Sequence, residues 1–389
     1  MTGPSSINPC KTILISGAGP AGLTLGLLLA RSGWHPIIVE KDLQLRGGGF
    51  LVSLADSAYT CIKDLGLEEQ LIARGSGITQ STYYDARQTP LLTLQTQQLF
   101  GHLPVLQLMR DDLAYVLYET AINELDIRMG TTVSEVAQSN LGVEARLSSG
   151  QTIECSLLVG ADGVHSNVRT LTFPAESIHH TYMDLHCAAY RHDNIQDISH
   201  CFETHTQQNR YMATFTTGDS DVGSVFVWAA EQRDVQATEQ RQNLLDAFQG
   251  SIGRTQAHLT LCPQTPFYYD VLKQIEIPQW FHQRTVLLGD AAHCLTLFSG
   301  RGAAAAVNDA RVLAGCLSAQ SDIGVALQQY DQALRPTLSR MQASTKRDVR
   351  WYVPRNPVDY TLRNLAFRLV PNQLFHRYFQ MKYSTVGST

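Results

Sequence analysis

The segment TILISGAGPAG, from Thr12 to Gly22, joins an apolar strand to an apolar helix through a glycine turn. The β-branched residues of TILIS are typical of a buried parallel strand. Gly17 permits the tight turn, Gly19 lets a pyrophosphate approach the backbone, and Gly22 lets the helix pack close to the strand. The segment therefore predicts the start of a dinucleotide-binding α/β domain.

The helix after the turn begins at Pro20 and Ala21, and the next strand reads HPIIVEK and ends at Glu40 and Lys41. The amides at the helix N-terminus favour a bound phosphate. Glu40 lies about 20 residues beyond the glycines, where a ribose hydroxyl pair needs an acceptor. Strand, helix and acid together favour a nucleotide cofactor over a glycine turn that binds nothing.

Composition indicates a cytoplasmic enzyme. The chain has 389 residues, a formal net charge of −5 and eight cysteines. That length accommodates one large or two closely joined domains, and the charge gives no sign of nucleic-acid binding over the whole chain. The cysteines form no C-x-x-C pair and the polar N-terminus lacks a secretory pattern. The six histidines between residues 179 and 205 match no metal-ligand spacing, so we expect no metal.

Apolar patterns divide the chain into interleaved segments. The nucleotide-domain pattern resumes at RTVLLGD, after a block of aromatic, strand-like runs between residues 178 and 276 that predicts an antiparallel sheet holding a substrate. The amphipathic run DDLAYVLYETAINELD predicts a helix over residues 111–126. The expected domains are a nucleotide-binding domain of residues 1–77, 102–177 and 277–330, a substrate-binding sheet domain of residues 78–101 and 178–276, and C-terminal helices over residues 331–389.

Two further motifs follow in a fixed order. GADGVHSNVR spans Gly160 to Arg169, and LGDAAH continues to SGRG between Leu288 and Gly302. With the first glycine motif, they resemble the three fingerprints of the single-component, class A FAD-dependent aromatic monooxygenases of the para-hydroxybenzoate hydroxylase type. The resemblance covers most of the chain. The stretches GRGAAAA and GGGFLV bring it nearest the tetracycline-inactivating and polyketide hydroxylase branch.

This resemblance implies a Rossmann-like FAD-binding domain of the glutathione-reductase type, an interleaved antiparallel-sheet substrate domain and a C-terminal helical segment. It implies FAD as the held cofactor, NADPH or NADH as the transient electron donor, and O2 as the oxidant. The implied reaction hydroxylates an aromatic, polyketide-like or antibiotic small molecule through a flavin C4a-hydroperoxide, so the cofactor performs the hard chemistry. The sequence identifies no catalytic base and leaves the oligomeric state open.

The resemblance also assigns cofactor contacts beyond the first motif. Asp162 and Gly163 are implied at the flavin pyrophosphate, and Asp290 at the ribityl chain. The helix after SGRG would aim its N-terminus at the flavin ring, where it stabilises negative charge. The remaining implied contacts are Arg46, Gly48, Arg110, Gly289, Gly300, Arg301, Gly302 and Ala303.

Four aromatic residues of the sheet block are candidates for the substrate site: Tyr211, Phe215, Phe226 and Trp228. Strand alternation places Tyr211 and Phe215 on one face, and it also places Phe226 and Trp228 on a common face. For each pair the alternatives are a substrate cavity and the packed core.

The basic C-terminal stretch from Arg340 contains LAFRLVPNQLFHRYFQM. It is compatible with a helix at a membrane interface or at a partner, but Pro371 interrupts it and basic residues commonly form a solvated helix face. The resemblance to the tetracycline-inactivating branch instead implies a helix that caps the active site. We expect no stable membrane insertion. Two alternatives to the hydroxylase stay open, namely an FAD-dependent reductase or desaturase without oxygen insertion, and a flavoprotein that binds a ligand without turnover.

Overall fold

The computed structural model describes residues 11–45, 47, 50–218, 221–232 and 235–384. Its strands are β1 Thr12–Ser16, β2 His35–Glu40, β3 Leu51–Ala55, β4 Gln80–Tyr84, β5 Pro90–Gln95, β6 Val105–Met109, β7 Asp126–Met129, β8 Val133–Gln138, β9 Val143–Leu147, β10 Thr152–Cys155, β11 Leu157–Gly160, β12 His179–Asp193, β13 Cys201–Gln207, β14 Arg210–Thr216, β15 Asp221–Ala229, β16 Tyr268–Glu276, β17 Phe281–His282 and β18 Thr285–Leu287. Its α-helices are α1 Pro20–Arg31, α2 Ser57–Asp64, α3 Glu68–Ile72, α4 Thr96–Phe100, α5 Arg110–Ala121, α6 Asn167–Thr172, α7 Gln240–Ala247, α8 Gly253–Thr260, α9 Asp290–His293, α10 Gly302–Ala319, α11 Ile323–Tyr352, α12 Pro357–Leu369 and α13 Asn372–Ser384. Short 3-10 helices lie at Ala175–Ser177 and Leu297–Ser299.

Strand β1 lies inside the nucleotide-binding sheet, whose strand order is β17-β18-β11-β1-β2-β7. It pairs in parallel with β2 on one side and β11 on the other, and Ile13, Leu14 and Ile15 are completely buried. β18 extends the sheet in parallel beyond β11. Because parallel strands end at the same edge of a sheet, the turns after β1, β11 and β18 meet there. The three sequence motifs therefore converge.

A second sheet has the strand order β16-β12-β15-β14-β13-β4-β5. Its strands pair antiparallel, apart from β4 and β13, which are parallel. The predicted antiparallel sheet is therefore confirmed in its main part. The early segment Gln80–Gln95 supplies two strands at its edge, whereas the exact domain boundaries stay a prediction.

The helices differ from the sequence prediction in two places. The block between residues 178 and 276 also contains α7 and α8, whose apolar residues Leu244 and Leu259 cover one face of the second sheet. Helix α5 ends at Ala121 and not at residue 126, because Asp126 opens β7 beside Ile37. Strand pairing with a distant segment thus ends the helical pattern early.

The C-terminal segment is helical, as the sequence predicts. Helix α11 is 30 residues long and contains Pro336, and α12 and α13 then pack against β5 and α4. Within the described ranges, no helix combines the length and the apolar character that crossing a bilayer requires. The same residues contain no group of three or more His, Cys, Asp or Glu side chains arranged to hold a metal ion.

The buried His258 of α8 lies against the half-buried His192 of β12. Nδ1 of His258 lies 3.1 Å from Nε2 of His192, which lies 2.8 Å from the Ser224 hydroxyl. Burial, aided by the positive charge of a protonated His192, lowers the pKa of His258 to about 3. Burial also lowers the pKa of His192. Both imidazoles are therefore neutral in the folded protein at neutral pH.

We expect the free energy of unfolding to decrease as the pH falls below 6.5, the ordinary histidine pKa. There the unfolded chain takes up protons that the folded chain resists, so each histidine removes up to about 1.4 kcal/mol per pH unit. Urea titrations from about pH 7.5 to pH 5 measure this slope. His258→Gln should flatten it, whereas His102→Gln, at an exposed site, should not. Parallel slopes for the wild type and His258→Gln would contradict the assignment.

Candidate active site

The glycine turn after β1 touches the second motif directly. Gly17 has a φ of +114°, and a Cβ atom there would lie 2.4 Å from the carbonyl oxygen of Ala161. A Cβ atom at Gly22 would lie 2.0 Å from the carbonyl oxygen of Gly17. Because both obstacles are backbone atoms, only glycine fits at these two positions.

The N-terminus of α1 faces open space. A Cβ atom at Gly19 would meet no atom of the described residues within 4 Å. Gly19 is the N-cap and supplies no side-chain cap, and the first turn, which starts with Pro20 and Ala21, contains no acidic residue. The N–H groups and the partial positive charge of this helix end are therefore accessible to a phosphate.

Backbone amides hold Glu40 in place at the end of β2. Ala18 N–H donates to Oε2 of Glu40 at 2.9 Å, and Asp42 N–H donates to Oε1 at 3.1 Å. The half-buried carboxylate keeps further lone pairs, so it can also accept hydrogen bonds from ribose hydroxyls. The neighbouring Lys41 is exposed.

Asp162 turns the chain from β11 into α6. Its Oδ2 accepts hydrogen bonds from the N–H groups of Asn167 and Val168, at 2.8 and 3.1 Å. Its Oδ1 is buried and has no hydrogen-bond partner among the described residues. Gly163 follows with a φ of +80°. Since an unsatisfied buried acceptor is unfavourable, Asp162 suits a ligand hydroxyl at this turn.

Arg169, at the end of the second motif, joins that motif to the third. Its side chain is buried and donates to the carbonyl oxygens of Ala291, at 2.9 Å, and Val164, at 2.7 Å. Burial lowers its pKa. These contacts give Arg169 a structural role between two motifs.

Asp290 opens α9 directly after Gly289, which has a φ of +61°. The residue is exposed at the surface of the site, but the protein around its carboxyl group removes enough water to raise the pKa of Asp290. The positive charge of Arg110 opposes that rise. Arg110 and Asp290 therefore interact electrostatically, although distant segments supply them. Two other residues that the resemblance assigns to the cofactor, Arg46 and Gly48, lie outside the described residues.

A buried ion pair fixes the third motif on α10. Nε2 of His293 lies 2.6 Å from Oδ2 of Asp309, which also accepts a hydrogen bond from Gly289 N–H at 3.1 Å. Burial opposes a charge on His293, but the carboxylate of Asp309 outweighs it and raises the pKa of the imidazole. The pair holds the turn that carries Asp290.

The loop SGRG presents a second helix N-terminus. Gly300 has a φ of +63°, and Gly302 opens α10, which is 18 residues long. Arg301 is buried, and Ala303 is half-buried. A Cβ atom at Gly302 would meet no described atom within 4 Å, and the first turn of α10 has neither a side-chain cap nor an acidic residue. This helix end is therefore accessible to negative charge.

A cavity lies between the second sheet, the SGRG loop and the C-terminal helices. Its walls include Phe50, Phe298, Gly300, Tyr352 and Phe379, and none of the described residues that line it is charged. Phe298 stacks on Tyr352 with the ring centroids 5.0 Å apart. An uncharged, largely aromatic wall beside the third motif suits an uncharged aromatic ligand.

The two pairs of predicted aromatic residues have different surroundings. Tyr211 and Phe215 line the cavity. Phe226 and Trp228 lie on the opposite face of the sheet, where they pack in the core, which is one of the two alternatives for this pair. Both pack edge to face against Phe248, with centroid distances of 5.1 and 6.1 Å. They belong to the core that α7 and α8 cover, and not to the cavity wall.

Sequence reasoning missed Phe50, Phe298, Tyr352 and Phe379, because loops and C-terminal helices outside the sheet block supply them. One signal was available for α13. Phe375 and Phe379 are four residues apart, so they share a helix face that needs an apolar partner.

Residues 10–341 match a protein family described as the FAD binding domain. The chain belongs to this FAD-binding family. The 2-heptyl-3-hydroxy-4(1H)-quinolone synthase of Pseudomonas aeruginosa is 28% identical over 97% of this chain and 98% of its own. The aurachin C monooxygenase/isomerase of Stigmatella aurantiaca is 28% identical over 83% of this chain and 85% of its own.

The fold has close structural neighbours. The crystal structure of tetracycline destructase Tet(51) superposes with a TM-score of 0.81, at 23% identity, over 97% of this chain and 99% of that one. The family match and the relatives confirm the predicted fold class, FAD as the cofactor and the identification of the chain as an FAD-dependent monooxygenase.

Three alanine substitutions separate packing from cofactor binding. Gly22→Ala should destabilise the apoprotein by about 1–3 kcal/mol, because its methyl group overlaps the Gly17 carbonyl. Gly19→Ala should change stability by less than about 1 kcal/mol yet weaken FAD binding at least tenfold, because its methyl group enters the phosphate space. Gly315→Ala, which has no neighbour within 4 Å, is the control and should do neither. Urea unfolding and flavin-fluorescence titration measure both quantities, and normal FAD affinity in Gly19→Ala would contradict the pyrophosphate placement.

Proposed function

We propose that this FAD-dependent monooxygenase uses NADH or NADPH and O2 to hydroxylate an uncharged aromatic or polycyclic small molecule in the cytoplasm. One observation carries the proposal. The uncharged, aromatic cavity includes Gly300 in its wall, and Gly300 belongs to the loop that opens α10. A ligand in this cavity would therefore lie beside the helix end that suits the flavin ring.

The residues present fit FAD. The open N-terminus of α1 would receive the pyrophosphate, and Glu40 would accept the ribose hydroxyls. The buried Oδ1 of Asp162 and the carboxylate of Asp290 would accept hydrogen bonds from other cofactor groups, with Arg110 adding positive charge. When bound, FAD takes hydride from the nicotinamide and activates O2. The chain itself binds, orients and shields the reactants from water.

Thr204 is one of the polar residues in the wall of the uncharged cavity, together with Ser53, Ser81, Gln107 and Ser299. Its side chain is buried, it lines the cavity, and its hydroxyl has no hydrogen-bond partner among the described residues. A buried hydroxyl in such a wall favours a substrate with a carbonyl, hydroxyl or ring N–H at the matching position. We therefore assign Thr204 to substrate orientation.

The Pseudomonas relative suggests a substrate class with these properties. Its name specifies a bicyclic quinolone that carries a heptyl chain and a hydroxyl group. A flat uncharged ring with one polar edge and an apolar chain matches a cavity with many aromatic residues in its wall and an unpartnered hydroxyl at Thr204. Alkyl quinolones and related heterocycles are therefore the first candidates, ahead of tetracyclines and simple phenols.

Aerobic oxidation of NADPH and NADH by the FAD-loaded protein tests this function. With a panel of alkyl quinolones, phenols, anthraquinones and tetracyclines, we expect a quinolone to stimulate oxidation and to yield a product one oxygen atom heavier by mass spectrometry. A product without added oxygen would instead indicate a reductase or desaturase. Ligand binding without flavin reduction by either nicotinamide would indicate a binding protein without turnover.

Replacing the cavity hydroxyl tests the role of Thr204. Thr204→Val should raise the substrate KM about tenfold with little change in kcat, because it removes a hydrogen bond made to substrate and transition state alike. Thr214→Val is a matched control, since Thr214 is also buried with an unpartnered hydroxyl but lies on the opposite face of the sheet. Equal KM values for the two variants would contradict the assignment.

A further inference from the structure

The outward surface of α12 carries an apolar stripe. Val358, Leu362, Leu365 and Leu369 follow one another at intervals of four, three and four residues, which place them on one helix face. Each of these side chains is between 50% and 70% exposed. We call these four residues the outer stripe.

The fold does not need the outer stripe, because α12 and α13 pack inward through other residues. Phe367, Phe375 and Phe379 pack against the apolar cluster at β5 and α4, which contains Tyr83. The rings of Phe367 and Tyr83 meet edge to face, with centroids 5.2 Å apart. The C-terminal helices are therefore apolar on both their inner and their outer sides. A helix that caps the active site explains the apolar residues of the inner side but not the outer stripe.

The exposed apolar surface extends beyond α12. Trp351, Leu374 and Tyr378 on the adjoining helices are 49%, 54% and 46% exposed. The ring of Trp351 lies parallel to that of Phe367, which links the end of α11 to α12. Among the described residues, eight of the seventeen large exposed apolar side chains lie between residues 351 and 381. Such a concentration indicates an interaction surface.

The same segment carries an unusual charge. Between residues 340 and 381 the sequence has eight Lys and Arg residues and only two acidic ones, a net charge of +6. Because the whole chain carries −5, the remainder carries −11. Arg347, Arg350 and Arg377 are exposed within this segment. The apolar surface is thus combined with the basic end of an otherwise acidic protein.

We infer that the outer stripe docks on the surface of an anionic lipid bilayer. The leucines would enter the boundary between headgroups and acyl chains, while Trp351 and Tyr378 would lie at headgroup depth. The exposed arginines would contact lipid phosphates, as basic segments do on the anionic cytoplasmic leaflet. This attachment is peripheral and goes beyond the proposed hydroxylation, since it needs no turnover.

The charge of the C-terminal segment favours a lipid surface, and not a second copy of the chain, as the binding partner of the outer stripe. A two-fold dimer through the outer stripe would bring two basic segments together, each with Arg347, Arg350 and Arg377 exposed. An anionic bilayer instead offers opposite charge to the arginines and an apolar interior to the leucines. An anionic lipid surface therefore matches both the exposed arginines and the apolar outer stripe.

Vesicle flotation of the full-length, FAD-loaded protein tests the inference. We expect the wild type to float with vesicles of phosphatidylcholine and phosphatidylglycerol, to float much less with phosphatidylcholine alone, and to be released by salt. The double variant Leu362→Glu with Leu365→Glu should bind anionic vesicles at least about tenfold more weakly, because it replaces two inserted apolar side chains with acids. Leu141→Glu is the matched control, since Leu141 is 93% exposed at a distant turn.

Retention of FAD and circular dichroism show whether the double variant folds. If it does not fold, Arg347→Glu with Arg350→Glu should weaken binding to anionic vesicles alone. The inference is overturned if the wild type floats with neither vesicle, or if a folded outer-stripe variant binds as Leu141→Glu does. It is also overturned if the wild type is a dimer on size-exclusion chromatography that the outer-stripe variant dissociates, without vesicle binding, because the occupant is then a second copy of the chain.

Discussion

The backbone contact between Gly17 and Ala161 is the constraint on which the rest of the structure depends. The Ala161 carbonyl occupies the place where any side chain at residue 17 would have to lie. This close approach lets β1 and β11 run side by side and brings the turns that follow them together. The helix end at Gly19, the buried oxygen of Asp162 and the turn at Asp290 are set around it. The candidate cofactor site is therefore a consequence of how closely two backbones pass.

The sequence was sufficient to predict the parts of the fold that depend on short-range spacing. The glycine spacing, the acid that ends β2 and the order of the three motifs each reflect one local unit, and the FAD-binding family and its sheet followed from them. The aromatic cavity was harder to predict, because both faces of the second sheet are buried. Alternation along β14 and β15 paired the residues correctly, but it carries no information on what covers each face. The cap at α13 comes from the far end of the chain, which strand patterns do not reach.

The polar residues of the motifs include side chains that hold segments together and side chains that we propose as cofactor contacts. Arg169 ties the second motif to the third, and the pair of His293 and Asp309 ties the third motif to α10. These side chains are buried, and each bonds protein groups of another segment, so they set positions. One atom of each, namely Nε of Arg169, Nδ1 of His293 and Oδ1 of Asp309, has no hydrogen-bond partner among the described residues. Asp162 also has an unpartnered buried oxygen, but it bonds only the turn that follows it, and Asp290 is exposed. The segments that a motif residue joins are therefore information that the motif alone does not contain.

The pairing of β18 with β11 determines when the nucleotide domain can form during synthesis on the ribosome. β11 has an unpaired apolar edge until Thr285–Leu287 has been made. Strands β12 to β16 of the second sheet are translated in between, and one of them, β13, pairs in parallel with the earlier strand β4. Such non-local pairing slows folding and leaves strand edges open to wrong partners. The last of the three motifs arrives only with this strand. A site that needs all three motifs can therefore be complete only after this strand has been made.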